Sequence, residues 1–592
     1  MASIEILIQI DHGSTWLRLV DPARVVEARE ASEVRDALAL VERLTRGSGL
    51  HAAGFVTYEA GAAFGLSTHA SAGHGLPLAW FALFDDDHVS QTDPPAAQKP
   101  YEIRSVAPSV DWPGFQAALG RIRHDIANGE TYQVNYTFDL RGRFRGDRLS
   151  LFANLAGAQQ GHYAAFISTG AWTICSASPE LFFERHGHDI TTRPMKGTAA
   201  RGRTLAEDED RAAHLTRSAK ERAENVMIVD MMRNDLGRIA EVGTVSVPEL
   251  FAVERYPTVW QMTSRVTARS TAPLDDVFAA LHPSASVTGA PKVRTMAIIR
   301  ELEPRPRGVY TGAIGYVAPS GSAQFSVAIR TAVVENRSGL LTFGVGSGVV
   351  WDSDPAAEYE ECLLKGAILD RRPKPFELLE TLGWTPDSGF LLLDRHLVRL
   401  MQSAKYFGYR CDLSEVRDVL DHAVVGFATS QRVRLLVSRN GVIRVECHGY
   451  QPDTERASAL VTLAREPVDP SDVFLFHKTT NRHQYERARL AGYDDVVLWN
   501  PQGQITEFTL GNVVVELRGR KVTPPVECGL LAGTFREQLL AEGAIEVAPV
   551  TIDELRQASR LWLVNSVRGW WEATLVDQNV GSLPSPTALA RA

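Results

Sequence analysis

The stretch DRRPKP, residues 370–375, is the feature that most limits how this chain can fold. It places two prolines among charged residues straight after the apolar-periodic segment AEYEECLLKGAIL. Proline lacks the backbone N–H a helix needs and pushes the residue before it toward extended geometry. A helix therefore stops here and no strand ladder can run through. Beyond it the alternation of strand-like and helix-like segments starts afresh with FELLETLGW, HLVRLMQSAKYFGY and RVRLLVS. The spacing predicts two separately cored regions, 1–372 and 373–592. A chain of 592 residues has ample material for both, since about 150 residues per domain would allow roughly four compact units.

Before the break, IEILIQI, LRLV, AGFVTYEA, AWFALF, YAAFIST, TICSAS, ELFFERH, GAIGYVA, FSVAIRTAVVE and LLTFGVGSGVV read as strands. SEVRDALALVERLTRG and FQAALGRIRHDIANGE read as helices, as do residues 207–235 and 289–303. The class expected is α+β on a large sheet-rich scaffold. No repeat links the two regions, and QNVGSLPSPTALARA at the end reads as a loosely held tail.

Two predicted helices each carry carboxylates three residues apart, Glu221 with Glu224 and Glu358 with Glu361. That spacing puts both members of a pair on one helix face. Two such faces could hold a hard divalent cation through oxygen. From spacing alone four solvated surface glutamates are the better reading, but the apolar run VMIVDMM beside Glu224 marks a buried face, where an unpaired carboxylate is costly.

Further motifs surround these pairs in order: ETYQVNYT (130–137), ASPELFF (177–183), RPMKGTAARG (193–202), AENVMIVDMMRNDLGR (223–238), SVTGAPKVR (286–294), RGVYTGAIGY (307–316) and DPAAEYEE. Together they resemble the chorismate-utilising enzymes, a family that includes anthranilate synthase and aminodeoxychorismate synthase component I. The resemblance spans most of 100–370 and is loose before it. It implies magnesium on Glu224 and Glu361, with Glu221 and Glu358 nearby or acting through water. It implies substrate contacts at Ser286, Tyr310, Arg330, Gly346, Gly348 and Lys365. Arginine suits a planar carboxylate of a dianionic substrate. Glu180 is implied as general acid and base, and Lys196, in PMKGT, as a nucleophile. An amine there can attack once a low-dielectric site lowers its pKa. Lysine at this slot is similar to the aminodeoxychorismate synthases, whereas anthranilate synthases typically have alanine. Gln261 stands where many members have histidine. The GVGSGVV glycines are a weak nucleotide signal, because no phosphate-binding helix follows them.

After the break, RHLVRLMQSAKYFGY (395–409), HKTTNRHQYERAR (477–489), DDVVLWNPQGQITEFTLGNVVV (494–515), GLLAGTFRE (529–537) and LVNSVRG (563–569) resemble the fold-type IV pyridoxal 5'-phosphate (PLP) enzymes, which have two subdomains. The family includes aminodeoxychorismate lyase and several transaminases, and HKTTNR resembles the lyases. The resemblance implies Lys478 as the cofactor's lysine and Glu507 as partner of its ring nitrogen. It implies Arg399 with Gly533, Thr534 and Ser566 at its phosphate, and Thr381 as a proton-transfer partner. The hairpin with which this family usually begins has only DRRPKP in its place.

Joined, the two resemblances imply synthesis of 4-aminobenzoate from chorismate by way of 4-amino-4-deoxychorismate. No Gly-x-Cys-x-Gly elbow is present, so ammonia would come from a separate glutamine amidotransferase subunit or from solution. An anthranilate, isochorismate or salicylate synthase fused to a PLP aminotransferase remains open, as does an inactive chorismate-binding scaffold. A net charge of −9 disfavours nucleic acid and anionic membranes. Five unpatterned cysteines (Cys175, Cys362, Cys411, Cys447, Cys528) argue against a disulfide framework and fit the cytoplasm. No apolar run approaches the ~20 residues of a membrane span. A homodimer through the PLP region is a further expectation.

Overall fold

The computed structural model describes residues 4–73, 75–450 and 458–576, so the tail expected from Gln578 lies outside them. The chain divides into two compact units, one of Met1–Arg201 and Arg211–Pro373, the other of Gly202–Asp210 and Lys374–Ala592.

The first unit holds two ten-stranded sheets. One runs from Gly289–Ala290 through Gln133–Gly146, Leu340–Val349, Thr331–Glu335, Trp172–Ser178, Tyr163–Ser168 and Glu5–Ile10 to Thr15–Val20 and Val89–Gln91. The other includes Met195–Ala200, Val259–Arg269, Asp189–Arg193, Leu181–His186, Ala323–Val327, Ala313–Val317, His51–Val56 and Ala79–Phe84. Period-two side-chain placement sorts neighbours into different cores. Ile6 and Ile8 pack with Phe55, Trp80 and Tyr316 between the sheets. Leu7 points the other way, into a core with Phe115, Leu119 and Ile122 of the helix Trp112–Ala127. Beyond the second sheet, Val34, Leu38 and Val41 of Ala31–Ser48 pack with Ile228, Val229 and Met232 of Ala219–Gly237.

Two breaks depart from the sequence reading. Residues 207–235 form two helices, Leu205–Arg217 and Ala219–Gly237, because the Ser218 hydroxyl caps the second by accepting from the Glu221 N–H. FSVAIRTAVVE is two strands in different sheets, Ala323–Val327 and Thr331–Glu335. The chain turns between them at Arg330, whose φ of 53° is left-handed and costly for a branched-out side chain.

The second unit has an antiparallel four-stranded sheet built on Leu378–Thr385 and Gln431–Val437, with the helices Leu393–Phe407 and Leu413–Ala423 over a core of Leu378, Leu382, Leu397, Leu400 and Val433. Its other sheet is mixed and eight-stranded, and pairing of Ile505–Phe508 with Asn512–Leu517 closes six of the strands on themselves. Gly202–Asp210 belongs to this unit through specific contacts. Tyr406 Oη donates to Gly202 O at 2.7 Å, and His477 Nε2 donates to Arg203 O at 3.1 Å. The Arg203 guanidinium lies 5.0 Å over the Phe476 ring. All five cysteines are free, and among the described residues no helix is long and apolar enough to cross a membrane.

Candidate active sites

In the first unit the side chains group around Lys196, on the edge strand Met195–Ala200. Its Nζ lies 3.4 Å from Glu224 Oε2, and its charge is felt by Glu180, Glu221, Glu358 and Glu361. The strand is held in place from behind. Asn225 Nδ2 donates to Lys196 O at 3.1 Å while Asn225 Oδ1 accepts from Ser264 Oγ at 2.6 Å. Gln261 Nε2 donates to Gly197 O at 2.9 Å and its Oε1 accepts from Thr198 Oγ1 at 3.0 Å. Glutamine at the position where a histidine is common thus serves as a two-ended strand clamp.

Glu180 follows the strand Trp172–Ser178 and is buried. Burial raises its carboxyl to about 7, against the opposing pull of the Ser286 hydrogen bond, the Met195 N–H and Lys196. Ser286, expected at the substrate, gives its hydroxyl proton to Glu180 Oε1 at 2.6 Å and takes a bond from Ser284. An acid poised near neutrality can give a proton and take it back.

The four paired glutamates come near Lys196 but form no closed ligand set. Among the described residues no three His, Cys, Asp or Glu side chains gather closely enough to hold an ion. Three of the carboxylates take a nearby cation or hydroxyl: Glu224 takes Lys196, Glu361 takes Lys365 at 2.7 Å, and Glu358 accepts from Ser347 Oγ. Burial and the neighbouring Glu224 raise Glu221, while burial and Glu361 raise Glu358. Burial also pushes Glu361 up, but Lys365, Lys196 and Arg330 carry it below its ordinary value. Oxygen donors with this surplus of negative charge fit magnesium, which takes one or two protein carboxylates and fills its remaining positions with water and substrate.

Lys365 Nζ also donates to Gly346 O at 2.7 Å, and Arg330 Nη1 donates to Lys365 O at 2.8 Å. Burial lowers the Arg330 guanidinium from its ordinary value. The Tyr310 ring sits on Gly344, where a Cβ would come within 2.1 Å of it. The glycines lie inside the strand Leu340–Val349. At Gly348 a Cβ would stand 2.8 Å from Lys196 Nζ and 3.2 Å from Gln133 Nε2. Gln133 is 1% exposed and both polar atoms of its amide lack a hydrogen-bond partner. Its place beside Lys196 was not drawn from the sequence, although it lies in the quoted ETYQVNYT run.

In the second unit Lys478 is half-buried, and its desolvation with the charges of Arg399 and Arg482 lowers its amine to about 7. Glu507, in the strand Ile505–Phe508, is raised by burial to about 7. It accepts from Tyr485 Oη at 2.7 Å, Leu531 N at 3.0 Å and Asn512 Nδ2 at 3.3 Å. A Cβ at Gly533 would fall 2.0 Å from Asn512 Oδ1, so that glycine makes room for the residue steadying Glu507. Arg399 binds Glu380 through Nε at 2.9 Å and Nη2 at 2.6 Å. Thr534 bonds His396 at 3.2 Å. Ser566 donates at 3.4 Å to the carbonyl of Thr381, which brings those two together. An amine of lowered pKa, a buried carboxyl and a guanidinium near a helix start fit PLP, which needs a lysine, an acid for its ring nitrogen and donors for its phosphate.

A family model described as chorismate binding enzyme matches residues 7–371. The chain belongs to that family. The match reaches well before residue 100, where the motifs were loose. In this chorismate-binding enzyme residues 377–576 match a second model, amino-transferase class IV. Aminodeoxychorismate synthase component 1 of Klebsiella aerogenes is 44% identical over 243 residues, 41% of this chain and 53% of the relative. Anthranilate synthase component 1 of Methanothermobacter thermautotrophicus is 42% identical over 242 residues, 40% of this chain and 52% of the relative. The chain spans about half the length of the relatives it matches. The crystal structure of anthranilate synthase component I from Streptococcus pneumoniae is 25% identical with a TM-score of 0.52, covering 62% of this chain and 92% of that one.

Proposed function

We propose that this chain makes 4-aminobenzoate in two steps: amination of chorismate to 4-amino-4-deoxychorismate in the first unit, then loss of pyruvate in the second. The observation that carries it is a lysine, Lys196, set among Glu180 and the four paired glutamates, in a chain whose other unit holds a Lys478 amine of lowered pKa and a buried Glu507.

Magnesium, held by Glu224 and Glu361 with Glu221 and Glu358 close by, would neutralise a substrate carboxylate. Arg330, Tyr310 and Lys365, with the backbone at Gly346 and Gly348, bind the dianion. Lys196 Nζ, freed from Glu224 and deprotonated, attacks ring carbon C2, and both ring double bonds shift as the C4 hydroxyl departs. Glu180 gives that hydroxyl its proton, so the oxygen leaves as water and Glu180 is left as a carboxylate. Ammonia then adds at C4, both double bonds shift back and the Lys196 amine is released from C2, with Glu180 taking up the proton that ammonia sheds. Ser286 keeps the Glu180 carboxyl aimed throughout. The ammonia comes from a separate glutamine amidotransferase partner or from solution.

In the second unit Lys478 would hold PLP, Glu507 would face its ring nitrogen, and Arg399, Gly533, Thr534 and Ser566 would surround its phosphate. When bound, PLP supplies an electron sink. Lys478 takes the C4 proton, Thr381 assists in proton transfer, and release of the enolpyruvyl side chain as pyruvate leaves an aromatic ring. The closely similar anthranilate synthase favours an ortho product as the second reading, against which Lys196 argues.

The test is incubation with chorismate, ammonium, magnesium and PLP, with chromatographic separation of the aminobenzoate isomers. 4-Aminobenzoate together with pyruvate is the expected result. Anthranilate, isochorismate or salicylate as the product would overturn the proposal.

A further inference from the structure

Glu380 is a charge buried in an apolar setting, 1% exposed, on the strand Leu378–Thr385. Alternation puts it on the same face as Leu378 and Leu382, which lie in the core under the helix Leu393–Phe407. A carboxylate there is expensive unless paired and hydrogen-bonded, and it is fully engaged. One arm is the two-point bond to Arg399, whose Nη1 goes on to donate to Ala532 O at 3.2 Å. The other arm is His396, whose Nδ1 donates to Glu380 Oε2 at 2.7 Å and whose Nε2 then accepts from Thr534 Oγ1 at 3.2 Å. His396 and Arg399, three apart, share a helix face. Both arms end on the same short turn, 532–534, which opens the helix Thr534–Ala541. The first N–H groups of that helix have no intrahelical acceptor.

We propose that Glu380 is the positioning residue of the phosphate cradle, fixing Arg399 directly and Thr534 through His396 so that guanidinium and helix start face one anion together. Glu380 does not touch the cofactor; it sets the spacing of groups that do. The inference rests on the reading of this site as a PLP site. It also gives the buried His396 a purpose, as the neutral link between an acid and a hydroxyl.

The experiment is titration of the full-length apo-protein with PLP and with pyridoxal, which lacks the phosphate, followed by fluorescence or absorbance, for wild type and Glu380→Gln. Glutamine keeps the shape and removes the charge. The expected result is a PLP-over-pyridoxal preference that falls by about tenfold or more, as when the partner orienting a ligand is removed, while pyridoxal affinity changes by less than about twofold. Equal loss for both ligands, or no loss for either, overturns the proposal, since a merely structural role would treat them alike. If Glu380→Gln shows no cooperative unfolding transition, His396→Gln decides by the same ratio, because it cuts only the arm to Thr534. Failure of wild type to bind PLP would instead sink the cofactor reading on which this stands.

Discussion

Gly348→Ala is the sharpest probe of the first site. The added methyl would stand 2.8 Å from Lys196 Nζ and 3.2 Å from Gln133 Nε2. Gly348 is not among the left-handed glycines, so alanine strains no backbone there. Comfortable contact needs about 3.5 Å, so the ammonium must retreat by roughly 0.7 Å. Lys196 is a flexible, half-buried side chain and can do so, at a cost to stability of about 1 kcal/mol or less. A reacting amine misplaced on that scale loses about 10- to 100-fold in rate, since 1 Å can cost about 100-fold; that is about 1.4–2.7 kcal/mol of barrier. The assay is chorismate consumption under saturating ammonium and magnesium, beside a thermal unfolding scan. Gly346→Ala is the control. Its methyl would meet Tyr136 O at 2.8 Å and Thr137 Cγ2 at 2.6 Å, backbone and a packed methyl that cannot swing away, so it should lower the unfolding temperature. A Gly348→Ala enzyme running within twofold of wild type, or one as unstable as the control, would refute the reasoning.

Glu180→Gln should cut chorismate turnover by at least about 100-fold, and the pH–rate limb near 7, where Glu180 titrates, should vanish from the residual activity; a limb that stays belongs to another group. Lys478→Ala, with a folded transition like wild type, should lose the visible absorbance that PLP gives the wild-type protein, and a retained band would move the cofactor lysine elsewhere. Glu380 is held near 2 by Arg399 and His396 despite burial, so its contribution to folding is present above the ordinary glutamate range and drains away as pH falls toward 2. The buried Glu180 and Glu507 carboxyls, raised to about 7, act oppositely: their neutral forms favour the fold below pH 4–5 and that advantage is lost as pH rises through 7. Substituting both with glutamine should flatten this fall between pH 5 and 8 in denaturant titrations; an unchanged slope would mean other groups set it.

Local chemistry made much of this legible. Period-two runs announced the strands, and the i, i+3 pairs placed Glu221 with Glu224 and Glu358 with Glu361. What failed was whatever depends on distant neighbours. Nothing within FSVAIRTAVVE tells that the chain changes sheets at Arg330. The separation of Leu205–Arg217 from Ala219–Gly237 did leave a trace, a serine three residues before Glu221, which is a cap signal. Asn225 and Gln133 lay within quoted motifs, yet their tasks are set by Ser264 and Gly348, far away in sequence. His396 could have been suspected from its spacing to Arg399. Glu380 could not, because a lone glutamate in a strand reads as an exposed one until the helix above it is in place.

The segment Gly202–Asp210 carries a consequence for inheritance. Because its backbone carbonyls receive Tyr406 and His477, the latter next to Lys478, the C-terminal unit is encoded in two places in the reading frame. A gene cut at the codons for 370–375 would give a downstream polypeptide lacking the segment those two side chains bind. Moving the C-terminal unit to another chain would mean carrying residues 202–210 with it.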